Sequence, residues 1–344
     1  RRHIYTGSIG YISFHDTMDL SIAIRTATIL NGRIVFSVGG GIVFDSVPGD
    51  EYDETLHKGQ TLMEVLRGNN YSTGRQVLVW MNGTMTPEKE ARVSVYDQGL
   101  QYGYGFFETI RVDKGETKYL KEHIDRFYNA WRQLFSEEIP DFTWDLIIDQ
   151  VIVQNGLGDE TAAVKIIATK GDREEPPFNH SLLVISRPYV HRLTGKKEGG
   201  LNIVVYPKPR QTPLADHKTL NYLYYLLAGK WATDNGADEA LIMNPDGTVS
   251  ETNTANVLLI KDKTVTRPAS PHVLPGIIEQ KICELLSEWG YGIETRKIRP
   301  EEFHSVDQVI ISNSLMGAVP VLSLDGKKLK KPSNLCARIN NVVL

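Results

Sequence analysis

His217-Lys218-Thr219-Leu220-Asn221-Tyr222 lies between a loop and a predicted helix over residues 220–234, whose surface is unusually aromatic. A lysine is ordinarily a solvated surface charge. Its amine attacks a carbonyl when the surroundings lower its pKa. Three further segments carry complementary chemistry. Glu251, in Ser250-Glu251-Thr252-Asn253-Thr254-Ala255-Asn256, closes a predicted strand. It suits either an exposed strand end or an anion set opposite a protonated pyridine nitrogen. Leu274-Pro275-Gly276-Ile277-Ile278 opens a helix. It reads as a plain turn and cap, or as a phosphate seat made from the free N–H groups of the first turn. Arg126, in His123-Ile124-Asp125-Arg126-Phe127, is either paired with Glu122 at i−4 or a fixed cation for the same phosphate.

The rest of the chain bounds what this chemistry serves. At 344 residues, two or three domains are expected. With 41% hydrophobic and 23% charged residues the composition is that of a globular protein. Lys and Arg number 38 against 42 Asp and Glu. That balance gives no reason to expect nucleic acid or an anionic membrane as partner. Two cysteines, Cys283 and Cys336, exclude a disulfide scaffold and fit a reducing, cytoplasmic setting. No apolar run is long enough for a transmembrane helix. The start, Arg1-Arg2-His3-Ile4-Tyr5, has no methionine and no signal-peptide core, so upstream sequence is expected.

Residues 4–13, 21–30 and 33–38 read as strands, with Asn31-Gly32 as a two-residue hairpin turn. Residues 51–66 have helical spacing. Residues 67–76 lack aliphatic side chains and read as a linker. A new pattern starts at Val77, with strands over 77–82 and 92–96 and an amphipathic helix over 121–135. A second helix, 146–153, ends at Asn155-Gly156. Strands follow over 163–169 and 182–187, and a polar stretch at 187–200 marks an internal boundary. Beyond it come strands over 202–206, 239–243 and 248–251, a hairpin of 256–260 with 265–267, a helix over 277–289 and a late strand over 307–312.

Taken in order, five segments resemble the class IV aminotransferases, pyridoxal-phosphate enzymes of fold type IV. They are Val93-Ser94-Val95-Tyr96-Asp97-Gln98-Gly99-Leu100-Gln101-Tyr102-Gly103-Tyr104-Gly105-Phe106-Phe107-Glu108-Thr109-Ile110-Arg111, then His123–Arg126, His217–Asn221, Glu251–Asn256 and Leu274–Ile278. The resemblance implies a two-domain α+β fold, with a small domain over 77–190 and a large domain over 200–330. It implies pyridoxal 5'-phosphate as cofactor, held by Lys218 as the catalytic residue. Arg126, Glu251, Thr254, Ala255, Ile277, Ile278 and Ser314 would complete its site, with no metal. Ser312-Asn313-Ser314-Leu315-Met316-Gly317 is similar to the family's aminodeoxychorismate lyases, where its aminotransferases usually carry a Gly-Thr-Ala type sequence. The lyase would convert 4-amino-4-deoxychorismate to 4-aminobenzoate and pyruvate in folate biosynthesis. The alternative is a D-amino-acid or branched-chain aminotransferase. Lys170 and Arg173 are candidate partners of the substrate carboxylates, or solvated loop charges. Tyr104, Phe106 and Met316 are candidates for pocket wall or plain core. Such family members are usually dimers.

Residues 1–66 resemble the last part of chorismate-utilising enzymes, including component I of aminodeoxychorismate synthase. The segments are Gly7-Ser8-Ile9-Gly10-Tyr11, Ile22-Ala23-Ile24-Arg25-Thr26, Gly39-Gly40-Gly41-Ile42-Val43, Asp45-Ser46-Val47-Pro48 and Glu51-Tyr52-Asp53-Glu54-Thr55. The resemblance implies that Arg25 and Lys58 meet chorismate carboxylates and that Glu54 is a Mg²⁺ ligand, though only in a complete domain. Here Glu54 and Lys58 fit a solvated i,i+4 pair. The central catalytic segments are absent, so no synthase activity is expected. The chain reads as part of a bifunctional fusion, whose full length would take a glutamine amidotransferase as partner.

Overall fold

The computed structural model describes residues 4, 6–12, 17–24, 26–30, 33–40, 44, 46–49, 51, 52, 55, 56, 59, 76–137, 142–172, 180–196 and 198–344. Arg25, Glu54, Lys58, Arg173, the Asn31-Gly32 turn and residues 67–75 of the expected linker lie outside the described residues. The chain divides into two compact units, Arg1–Arg75 and Gln76–Leu344.

The first unit holds two antiparallel pairs. Strand β1 (Ser8–Ile12) pairs with β2 (Met18–Ile22), and β3 (Ala27–Leu30) with β4 (Arg33–Phe36). The expected single strand over 21–30 is thus two strands. The Ile24 N–H donates to the Ile22 carbonyl at 2.8 Å, an i→i+2 turn that ends the first ladder. Residues 48, 49, 51, 52, 55, 56 and 59 are helical.

The second unit contains two sheets. The first is built from β5 (Leu78–Met81), β6 (Thr84–Pro87), β7 (Gly105–Asp113), β8 (Glu116–Thr117), β9 (Thr161–Thr169) and β10 (Leu182–Pro188), in the order β6-β5-β10-β9-β7-β8. The alternation of Val93 and Val95 suggests a strand over 92–96, but the structure has a loop there. The Ser94 hydroxyl accepts from the Tyr96 N–H and the Ser94 carbonyl accepts from the Asp97 N–H, so local turn bonds replace a ladder. Asp97 then caps the short helix α1 (Gln98–Tyr102), accepting from the Gly99 and Leu100 N–H groups at 2.7 and 3.1 Å. Helix α2 (Leu120–Ala130) continues as a π-helical turn, Trp131–Phe135, and α3 is Trp144–Gln154. These helices bury Phe127, Trp131, Phe135 and Trp144 against Phe106. Phe106 is therefore core, 1% exposed, and not pocket wall.

The strands of the second sheet are β11 (Leu201–Val205), β12 (Glu239–Met243), β13 (Val249–Thr252), β14 (Asn256–Lys261), β15 (Thr264–Pro268), β16 (Gly292–Arg296), β17 (Gln308–Asn313) and β18 (Gly317–Leu324). Their order is β13-β12-β11-β18-β17-β14-β15-β16, and β19 (Lys327–Lys328) pairs with β18. Helix α4 (Leu223–Asp234) packs on β12. Helices α5 (Ile277–Glu288) and α6 (Leu335–Val343) pack on β14, β17 and β18. Met316 has no exposed surface and belongs to this core, which removes it as pocket wall. The fold is the α+β fold of type IV, with an antiparallel first sheet and a mixed second sheet joined through a polar stretch. Among the described residues no helix is long and apolar enough to cross a membrane.

Candidate active site

Backbone pairing places Lys218. Its carbonyl accepts from the Phe107 N–H at 2.9 Å, and the Leu220 N–H donates to the Gly105 carbonyl at 2.9 Å. The loop is thereby pinned to the start of β7. The Lys218 Nζ lies 4.7 Å from the Phe107 ring centre and 5.5 Å from that of Tyr222. No carboxylate among the described residues forms an ion pair with it. Desolvation lowers its pKa to about 8, and Arg126 and Lys165 push the same way against Glu108 and Glu251. A substantial share of the amine is therefore neutral near physiological pH.

Glu251 is 5% exposed on β13. Tyr225 donates its hydroxyl to Oε1, the Arg210 guanidinium lies 3.5 Å away, and the Leu274 N–H donates to Oε2 at 3.4 Å. Burial outweighs these partners and raises the carboxyl to about 7. A cation facing this carboxylate would hold it ionised.

Arg126 does not pair with Glu122, which instead meets Lys281 at 2.9 Å. Its Nε and NH2 donate to the two oxygens of Glu108 at 2.7 and 2.8 Å, and NH1 donates to the Pro275 carbonyl at 2.7 Å. His123 Nδ1 lies 2.8 Å from the same carboxylate. Burial alone would raise Glu108, but Arg126 and His123 outweigh it and hold the group at about 2. Arg126 is thus locked beside the turn that starts α5. That turn has Gly276 as cap, and no side chain caps the helix. Its first N–H groups, at Ile277 and Ile278, have no intrahelical acceptor. The Asn256 amide holds the Leu274 carbonyl at 2.8 Å, and a Cβ on Gly276 would sit 2.0 Å from Asn256 Oδ1. Gly276→Ala is expected to cost about 1–3 kcal/mol through this overlap. It should also weaken binding of pyridoxal phosphate more than binding of pyridoxal, compared by titration.

Thr254 donates its hydroxyl to Glu239 and lies 3.3 Å from Arg192 NH1. Asn313 ties the following loop to it, donating to the Thr254 carbonyl at 3.2 Å while its Oδ1 accepts from the Leu315 and Met316 N–H groups. Ala255 is buried beside it, and Ser314 lies partly exposed in that loop. Lys170 stands elsewhere. It is paired with Glu137 and lies 5.4 Å from the Phe135 ring. Tyr104 donates to the Leu134 carbonyl at 2.5 Å in the same region.

The structure adds Lys165, which sequence reasoning missed. Its Nζ lies 4.2 Å from the centre of the Phe107 ring that also meets Lys218, and its charge acts on Lys218. A lysine in the middle of the nearly apolar Thr161–Thr169 strand was the available signal. Glu108, Arg210, Tyr222 and Tyr225 were also missed, since each joins the candidate site only through its neighbours.

Residues 105–324 match the family model "Amino-transferase class IV", and residues 1–64 match "chorismate binding enzyme". Branched-chain-amino-acid aminotransferase-like protein 2 of Arabidopsis thaliana is 30% identical over 73% of this chain and 46% of its own length. The chain therefore spans about half the length of that relative. A putative branched-chain-amino-acid aminotransferase of Methanocaldococcus jannaschii is 31% identical over 72% of this chain and 88% of its own. D-alanine aminotransferase of Staphylococcus aureus (strain N315) is 29% identical over 73% and 90%. A T.th. branched-chain amino acid aminotransferase, solved with N-(5'-phosphopyridoxyl)-L-glutamate, superimposes with a TM-score of 0.69 at 25% identity, over 78% of this chain and 93% of that one. With its sheets, its desolvated lysine and a match covering most of its length, the chain belongs to the class IV aminotransferase family, carrying a chorismate-binding fragment at its N-terminus.

Proposed function

We propose that this chain releases 4-aminobenzoate and pyruvate from 4-amino-4-deoxychorismate, with pyridoxal 5'-phosphate as cofactor. The residues present fit that cofactor. A desolvated amine without a carboxylate partner, a buried carboxylate poised near neutrality and an uncapped helix start beside a fixed arginine match its aldehyde, ring nitrogen and phosphate. Lys218 would hold it covalently and Glu251 would face its ring nitrogen. Arg126, with the Ile277 and Ile278 N–H groups and Ser314, would take the phosphate, beside Thr254 and Ala255. When bound, the cofactor supplies an electron sink for the bond being broken. Lys218, once its amine is free, takes the proton from C4 of the substrate, and Phe107 and Tyr222 keep water from it.

The observation that carries the lyase reading is the cationic sheet face beside Lys218. Lys165 is half-buried there without an acidic partner among the described residues, which suits a substrate carboxylate rather than an aliphatic side chain. The Asn313-Ser314-Leu315-Met316 loop and the fused chorismate-binding fragment agree with it. Joining two enzymes of one pathway raises the local concentration of the intermediate. The names of the relatives favour a second reading, an amino-acid aminotransferase. Side by side, 4-aminobenzoate release should exceed 2-oxo acid formation from any common D- or L-amino acid. Faster 2-oxo acid formation with an ordinary amino acid would place the chain among the aminotransferases proper.

The active form is proposed as a homodimer. Leu223, Leu226, Leu227 and Trp231 expose an apolar face on α4, and Val95, Tyr96, Leu100 and Tyr102 expose another segment. Sedimentation at micromolar concentration tests this.

A further inference from the structure

The strand register gathers a cationic face that no single stretch of sequence shows. Ala163 on β9 stands opposite Arg111 on β7 and opposite Arg187 on β10. Lys165, two residues along, stands opposite Thr109 and Ile185. Side chains alternate faces along a strand, so Arg111, Ala163, Lys165 and Arg187 share one face. Phe107, which meets Lys218, belongs to the same set. Only a methyl group rises from the middle of this ring of cations.

The charges there are unequally matched. Arg111 pairs with Asp113 at 2.6 Å and donates to the Leu315 carbonyl at 2.5 Å, which ties the face to the loop that holds Ser314. The other oxygen of Asp113 accepts from Thr161 at 2.6 Å. Lys165 and Arg187 meet no carboxylate among the described residues. Burial and the Arg187 charge both push the Lys165 ammonium toward its neutral form. Tyr189 extends the same row, with its ring 5.6 Å from the Arg111 guanidinium and its N–H on the Thr161 carbonyl. Its buried hydroxyl makes no hydrogen bond of good geometry and only approaches the Arg192 backbone. One half-buried cation without an acidic partner and one poorly satisfied hydroxyl are costly unless an anion visits, and the exposed Arg187 adds a free charge beside them.

We propose that the cationic face around Ala163, bordered by Arg187, Arg111, Tyr189 and Lys165, seats a second carboxylate of the substrate. This deepens the lyase reading above, whose substrate carries two carboxylates, and rests on it. Lys165 faces the carboxylate nearer Lys218, and Arg187 reaches the farther one across the small floor residue.

The test is calorimetric titration of the full chain with pyridoxal phosphate bound. The probes are 3-(carboxymethoxy)benzoate, with two carboxylates, and 3-methoxybenzoate, with one. Wild type should bind the diacid about tenfold tighter or more, the scale of one added charge-assisted contact. Arg187→Met should abolish that preference, Arg187→Lys should retain part of it, and Ala163→Leu should abolish it with every charge in place. Arg187 is exposed, so its replacement leaves the core untouched even if Ala163→Leu proves unstable. A wild type without the preference, or an Arg187→Met protein that keeps it, overturns the seat. A preference lost in Arg187→Met, with no 4-aminobenzoate release from wild type, overturns the lyase reading and leaves the seat standing. Release by a wild type whose preference Arg187→Met does not change does the reverse.

Discussion

Lys218→Ala should lose turnover by at least on the order of 10⁴-fold, the upper range for one positioned proton-transfer group, because the covalent attachment goes with it. The residue combines two conditions that rarely coincide. Its ammonium is desolvated between Phe107 and Tyr222, and no acid among the described residues pairs with it. Its amine is thereby available at a pKa of about 8. Below that pH the group is protonated and inert, and above it the neutral fraction rises. Labelling of the cofactor-free chain by an amine reagent should reach half its plateau at Lys218 near pH 8, where surface lysines remain slow. Borohydride treatment of the loaded wild type should fix the cofactor mass on Lys218, read by peptide mass spectrometry. A fixed adduct on Lys165 or another lysine would refute the assignment.

Glu251→Gln should keep the cofactor while slowing turnover roughly ten- to hundredfold, the rate equivalent of about 1.5–3 kcal/mol for a charge-assisted pair. The carboxylate is surrounded by the donors Tyr225, Arg210 and the Leu274 N–H, so an isosteric amide keeps the packing while it removes the charge and one acceptor. Burial raises its pKa to about 7 in the free protein. A group raised above its ordinary value is neutral below that pH, so its anionic form is lost as pH falls through 7. A cationic ring nitrogen opposite it would pull the value down again. The absorbance of bound cofactor should therefore depend on pH differently in the two proteins, and an unchanged turnover number in Glu251→Gln would refute the role.

Local patterns name several elements. The apolar spacing of Ile124, Phe127, Trp131 and Leu134 marks a helix, and the structure has one, although its last turn widens into a π-helix at Trp131–Phe135. Asn244-Pro245-Asp246-Gly247 marks the turn joining β12 and β13. The strand expected over 92–96 fails because Ser94 and Asp97 satisfy backbone groups locally, a competition that alternation of valines does not reveal. The long strand β7 carries no local mark, since Gly105-Phe106-Phe107-Glu108-Thr109 lacks regular alternation of apolar and polar residues. Glu108 breaks it because the acid is buried on the helix side by Arg126 and His123.

The sequence by itself determined which chemical groups were available and their order: a lysine before a helix, a glutamate ending a strand, an arginine on a helix and a glycine before a helix start. Only the tertiary structure decided which partners they have. Helical spacing offers Glu122 to Arg126, but burial favours Glu108, where a low dielectric strengthens the bidentate pair and Glu122 is left to Lys281. Likewise, Lys170 and Lys165 differ by five residues on one segment. Lys170 falls just past the end of β9 and turns toward Glu137, while Lys165, within the strand, turns to Phe107 and Lys218. Charge and reactivity are properties of a side chain, but its pKa and its partner are properties of the space that several distant segments enclose.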